Sequence, residues 1–193
     1  MTSHSDKVNT VPKQSKEKPD TQQKAERLLK FLRSQREDRG VMADLRCALV
    51  DGKRHRAWPY LGYLGGIGDQ PSKRAIQTIA GLYATHPEET QEGDFGGMCR
   101  KLLGEEERSK LDTAEGIGPI SRRFQHLLAA DGEEIFDRAV RFVLRAKSEE
   151  IPINYKELFE SLHKWQWPEG AERVRTCWAQ SFWTPKIEEE SEE

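Results

Sequence analysis

Apolar residues in this chain recur at helical spacing, in blocks separated by turn residues, and nowhere alternate with polar ones for long enough to make a strand. Ala25, Leu28, Leu29 and Leu32 form one stripe, which Thr21 can cap and which ends before Arg39-Gly40. Met42, Leu45 and Leu49 define a second helix over 41–50, stopped by the turn pair Asp51-Gly52. A short helical segment follows over 57–64, with Pro59 in its first turn, where a missing N–H does least harm. After a glycine-rich connection, 62–68, comes a buried helix over 72–86 carrying Ala75, Ile76, Ile79, Ala80, Leu82 and Tyr83 and closed by His86-Pro87. Phe95, Met98, Leu102 and Leu103 mark another short helix.

The second half repeats the style without repeating the sequence. A helix over 117–130 shows Ile120, Phe124, Leu127 and Leu128 on one face. Asp131-Gly132 separates it from a helix over 133–147, with Ile135, Phe136, Ala139, Val140 and Val143 inward. Asn154 can cap a helix over 155–165, and 171–182 completes the set. The pattern predicts an all-α bundle of about eight to ten helices. Residues 21–104 and 117–185 make two helical lobes joined by an acidic connection, 105–116. The ends, 1–20 and 186–193, hold too little apolar surface to offset the entropy of ordering and read as disordered tails, the second one acidic.

Composition narrows the function. No run of about 18 apolar residues exists, so a membrane span is excluded, and nothing resembles a secretory signal. Cys47, Cys99 and Cys177 are too widely spaced for zinc or a disulfide framework, which suits reduced thiols in a cytoplasmic protein. Histidines 4, 55, 86, 126 and 163 are scattered, without the spacing of a helical metal pair. The glycine run 62–68 follows no strand and lacks the Gly-Lys-Ser/Thr ending of a nucleotide-binding loop. The acids have neither the spacing nor the strand context of a two-metal nuclease. No catalytic residue, metal or cofactor is expected. Of the five tryptophans, Trp167, before Pro168, is the one expected at the surface; Trp178 belongs with Phe182 in a core.

Charge supplies the positive signal. The net value of −2 averages segments of opposite sign: residues 20–60 carry ten bases against six acids, and residues 88–115 four bases against nine acids. Such a molecule can hold phosphates on one face and turn a repelling face elsewhere. Within 39–59, Arg46, Lys53, Arg54 and Arg56 fall between or beyond apolar anchors. Arg138, Arg141 and Arg145 make a stripe at i, i+3 and i+7. Glu134 and Asp137, each four residues earlier, can pair with the first two, so Arg145 is the least compensated. Lys73-Arg74 and Arg122-Arg123 sit near helix starts, where backbone N–H groups and side chains can hold a phosphate together.

Four stretches then occur in a telling order: Arg39-Gly40 with Ala43-Asp44-Leu45-Arg46; His55-Arg56-Ala57-Trp58-Pro59; Ser121 to Leu128, SRRFQHLL; and Arg173-Val174-Arg175 with Trp178-Ala179 and Phe182-Trp183. In order and chain length the sequence resembles the CasB family, the small subunit of type I-E CRISPR Cascade surveillance complexes. The resemblance implies a non-catalytic, two-lobed helical subunit in antiviral defence, present as a head-to-tail pair, a dimer of itself within the complex. Its partners would be the other Cascade subunits, guide RNA, and single-stranded or R-loop DNA, whose displaced strand it helps stabilise through a basic groove. Sequence would be read by guide–target pairing. Nucleic-acid-binding positions carried over are Arg46, Lys73, Arg74, Arg122, Arg123, Arg173 and Arg175; Arg141 and Arg145 come from the charge stripe. Cys47 departs from relatives that carry a second basic residue there. The rival reading is a helical scaffold that only bridges protein subunits.

Overall fold

The computed structural model describes residues 17–113 and 115–184, and among them the chain forms ten α-helices and no strand. Of the tails expected over 1–20 and 186–193, residues 1–16 and 186–193 lie outside the described residues, whereas 17–20 belong to a helix. From Glu17 onward the chain is helical: α1 spans Glu17–Ser34, so Thr21 is a buried residue inside the helix and not its cap. α2, Arg39–Arg46, is capped by Asp38, whose carboxylate accepts from Gly40 N at 2.9 Å and Val41 N at 3.0 Å. Arg39-Gly40 therefore opens this helix, and its expected last turn tightens into a 3-10 segment, Cys47–Leu49. Pro59 stands in the first turn of the short α3, Trp58–Leu61, before α4, Pro71–Thr85, and α5, Phe95–Lys101.

One helix was hidden from the apolar pattern. α6, Glu105–Asp112, occupies the stretch read as a connection; its sequence EEERSKLD has no apolar stripe for periodicity to detect. α7, Pro119–Leu128, and α8, Glu134–Ser148, follow, joined by the short link 129–133. Asn154 caps α9, Tyr155–Lys164, by accepting from Glu157 N at 3.2 Å, and α10, Pro168–Trp183, ends the fold. Between α4 and α9 the chain meets itself once in extended form, where Ile153 N donates to Glu88 O and Thr90 N to Ile153 O, both at 3.0 Å.

α4 is the axis of the molecule. Its residues from Arg74 to Ala84 are all buried, and α1, α2, α8 and α9 pack around it. A second centre is aromatic. Phe124 of α7 stacks on Phe182 of α10 at 4.0 Å between ring centroids, and Phe142 of α8 meets Phe124 and Phe95 edge-on. Each such buried ring contributes about 1.5–3 kcal/mol of burial. α5 approaches α10 so closely that a Cβ on Gly96 would land on the main chain of Trp178, so only glycine fits. The one carboxylate drawn into this centre is fully used: Glu157 accepts from Ser161 Oγ at 2.6 Å, Phe95 N at 2.9 Å and Trp178 Nε1 at 3.0 Å. Burial pushes its pKa above the usual carboxylate value.

Candidate nucleic-acid interface

On α8 the buried residues Ile135, Phe136, Ala139, Phe142, Val143 and Ala146 take one side, which leaves Arg138, Arg141 and Arg145 along another. α7 faces that stripe with Arg123 and His126, three residues apart and both exposed. Between the helices lies a cleft of about 320 Å³, walled by these five side chains and floored by Ile120 and Phe142. The floor residues are nearly buried, at 7% and 6% exposure.

The cleft is not neutralised from within. Arg138 pairs with Glu134 at 2.6 Å, as its spacing suggests, and Arg145 pairs with Glu149 at 3.5 Å. Arg141 does not form the suggested pair with Asp137, and among the described residues no carboxylate pairs with Arg141 or Arg123. Both existing pairs are partly exposed and worth at most about 1 kcal/mol, so a polyanion can displace them.

The N-terminus of α7, which carries the floor residue Ile120, is already occupied. Glu107 reaches across from α6 and accepts from Ser121 N at 2.7 Å, Ser121 Oγ at 2.8 Å and Ile120 N at 3.3 Å. It is a cap supplied from 14 positions earlier in the chain, and it satisfies donors that the helix itself leaves open. Gly118 makes this possible, because a Cβ there would overlap the Glu107 side chain. Arg122 projects from the same turn, exposed and without an ion pair among the described residues, but outside the cleft lining.

A second basic recess of about 400 Å³ lies where α2 meets the end of α4, lined by Arg36, Arg39 and Arg46 with Glu37. Arg46 Nε donates to Ala84 O at 2.8 Å, which satisfies a terminal carbonyl of α4 and fixes the guanidinium. Arg36 pairs with Glu88 at 3.1 Å. Lys73 stands at the opposite end of α4, about 16 Å from Ala84 along the helix axis at 1.5 Å per residue. It is half-buried beside Gly68.

The remaining arginines differ in kind. Arg74 is 6% exposed, lies over the Phe136 ring at 5.8 Å and reaches Glu133 only at 4.0 Å. Burial pushes its guanidinium pKa below the ordinary value. Arg175 ties α10 to the end of α7: its Nε donates to Leu128 O at 2.8 Å, one Nη to Ala130 O at 3.1 Å, and its plane covers Trp165 at 4.9 Å. Arg173 is exposed, with no ion pair among the described residues. Of the nine sequence-predicted positions the cleft thus gathers Arg123, Arg141 and Arg145, the recess at the end of α4 holds Arg46, and the others are dispersed.

The sequence reading placed Arg138 in the stripe but left it out of the binding positions, and it missed His126 in the cleft and Arg36 and Arg39 in the recess. The signal for the first two was present: Arg123 and His126 share a face of α7, and Arg138 begins the α8 stripe. Other chemistry is sparse. Among the described residues no group of three or more histidine, cysteine, aspartate or glutamate side chains could hold a metal, and no helix is long and apolar enough to cross a membrane. Cys99 is buried, which raises its thiol pKa well above the ordinary value, Cys47 is half-buried and Cys177 exposed. Trp167, as expected, is a surface tryptophan at 40% exposure, whereas Trp178 is fully buried.

Solved structures share this fold. CasB from Thermus thermophilus superposes with a TM-score of 0.65 at 22% identity, covering 83% of this chain and 98% of its own. A second CRISPR-associated protein, of the Cse2 family and also from Thermus thermophilus, gives 0.62 at 26% identity, with the same coverage of 83% and 98%. A chain of a CRISPR RNA-guided surveillance complex gives 0.62 at 17% identity, covering 84% of this chain and 92% of its own. No curated protein sequence matches the chain. The family model described as CRISPR-associated protein Cse2 matches residues 41–183, which include α7 and α8 of the cleft and Arg46 of the recess, but not Arg36, Glu37 or Arg39. On that match and on the shared fold, the chain belongs to the CRISPR-associated Cse2 family, to which the CasB proteins also belong.

Proposed function

We propose that this protein is a non-catalytic subunit of the CRISPR RNA-guided complex Cascade that holds nucleic-acid backbone without regard to sequence and stabilises the displaced strand of the R-loop. The observation that carries this reading is the α7–α8 cleft, where four arginines and a histidine converge and two of the arginines have no carboxylate partner among the described residues. Guanidinium groups on rigid helices are suited to phosphate, because their planar N–H pairs match its oxygens and their charge persists at any physiological pH. Contacts of this kind position a strand and carry no sequence information. The likeness to a chain of a CRISPR RNA-guided surveillance complex supports placement in such an assembly; in this reading its partners are guide RNA, the other subunits and a second copy of this chain.

The test is an R-loop lifetime in the reconstituted complex. Reversing charge at Arg123 and Arg141 should shorten the lifetime at least several-fold while the complex still assembles, since both side chains point away from the core. An unchanged lifetime in an intact complex would refute the assignment and favour a subunit that only bridges proteins.

A further inference from the structure

We infer that the α7–α8 cleft accepts an unstacked nucleobase as well as phosphate, so that it selects single strands over duplex. The inference rests on the nucleic-acid reading above and deepens it. A surface that served phosphates alone needs only exposed cations, as Arg122 and Arg173 are. The cleft has depth and a floor. Its volume of about 320 Å³ falls at the small end of ligand pockets, about 300–1,000 Å³. Its floor is the edge of Phe142 with Ile120, held in place by the stacked and edge-on contacts of Phe142, Phe124 and Phe182. Apolar floor and cationic wall are the two halves of single-strand recognition: a base lies on the first while its phosphates meet the second. Arginine planes can also stack on a base face.

The charge around the cleft argues for a nucleotide over an apolar peptide side chain, because four guanidinium groups surround its apolar floor. In duplex the bases are paired and stacked, and one must be pulled out before it can enter. Electrostatics alone predicts the reverse preference, since duplex carries the denser phosphate charge. The two accounts therefore separate cleanly.

The experiment compares the full-length protein on a thymidine oligonucleotide and on a strand of equal length and phosphate count with abasic sites. The abasic strand should bind about tenfold more weakly, within the range for one stacked base. Equal affinity overturns the inference; if both strands still bind with steep salt dependence, the backbone reading stands. Loss of salt-dependent binding to both strands removes both readings together. Phe142→Leu should narrow the gap between the two strands, whereas a general folding defect would weaken both and leave their ratio unchanged. In the unmodified protein, 2-aminopurine placed in the strand should change emission on binding as it leaves the base stack, and a flat signal would also overturn the inference.

Discussion

A guanidinium does what its surroundings leave it free to do. Arg175 and Arg141 are identical in chemistry, yet the first spends its N–H groups on Leu128 O and Ala130 O, while the second meets no carboxylate among the described residues and lines the cleft. Spacing on a helix could place Arg141 on the polar side of α8 and Arg175 beside Glu172, but not the carbonyls 45 and 47 residues away to which Arg175 donates. Arg74 was equally opaque: it follows Lys73 near a helix start, and only the arrival of Phe136 and Glu133 from α8 buries it. Buried titratable groups raise the same question of surroundings. His163 is 7% exposed, packs against Phe159 and Trp167, and has a buried Nδ1 without a hydrogen-bond partner among the described residues. Burial first, then Lys24 and Lys164, lower its pKa below 6.5, with Asp20 opposing. The folded protein thus holds it neutral while the unfolded chain takes up a proton below pH 6.5. Stability should be fully present above that pH and fall as pH drops below it, by up to about 1.4 kcal/mol per pH unit for one group. Denaturant midpoints measured from about pH 7.5 to 5 should show a shallower acid decline for His163→Phe than for the parent. Parallel curves would contradict this.

At the scale of elements, legibility followed the burial of an apolar stripe. α4, α8 and α9 lie within a few residues of the sequence expectation because their stripes meet the core and their ends carry ordinary signals: Pro71, Asn154 and the break at Ile151-Pro152. α6 was not legible, because a single apolar residue, Leu111, packs it against the core and a polar hook supplies its other tie. Its Glu107 caps α7, and the adjacent Gly118 leaves room for the carboxylate. Glu107→Ala should therefore destabilise the protein by about 0.5–2 kcal/mol, as for loss of a helix N-cap, and calorimetry should show a lower Tm. An unchanged Tm would mean that water serves the open donors of α7 equally well. In the opposite direction, Thr21 carried a capping signal that the fold did not use, since α1 begins four residues earlier. A hydroxyl before an apolar stripe marks a possible helix start, but longer helices override it.

Across the whole molecule, the opposed charges of the sequence sort into distinct places. Arg123 of α7 and three arginines of α8 converge on one cleft, those around α2 line a recess at the C-terminal end of α4, and one acid of α6, Glu107, stands at the start of α7. That the protein is all-helical could be read from periodicity, and that it carries strongly basic surface regions from its arginines. Which arginines share a site required the packing of α7 against α8, helices whose separate stripes say nothing of their mutual angle. The central claim is that the cleft holds phosphate through Arg123 and Arg141. Its most direct test is the affinity of single-stranded DNA measured across salt concentration, because each phosphate contact releases counterions and adds about 0.7 to the slope of log affinity against log salt for a single strand. The parent should lose affinity steeply as salt rises, and replacing both arginines by alanine should flatten the slope by about 1.4 with the fold intact. A parent affinity indifferent to salt, or a double variant with the parent's slope, would contradict the account.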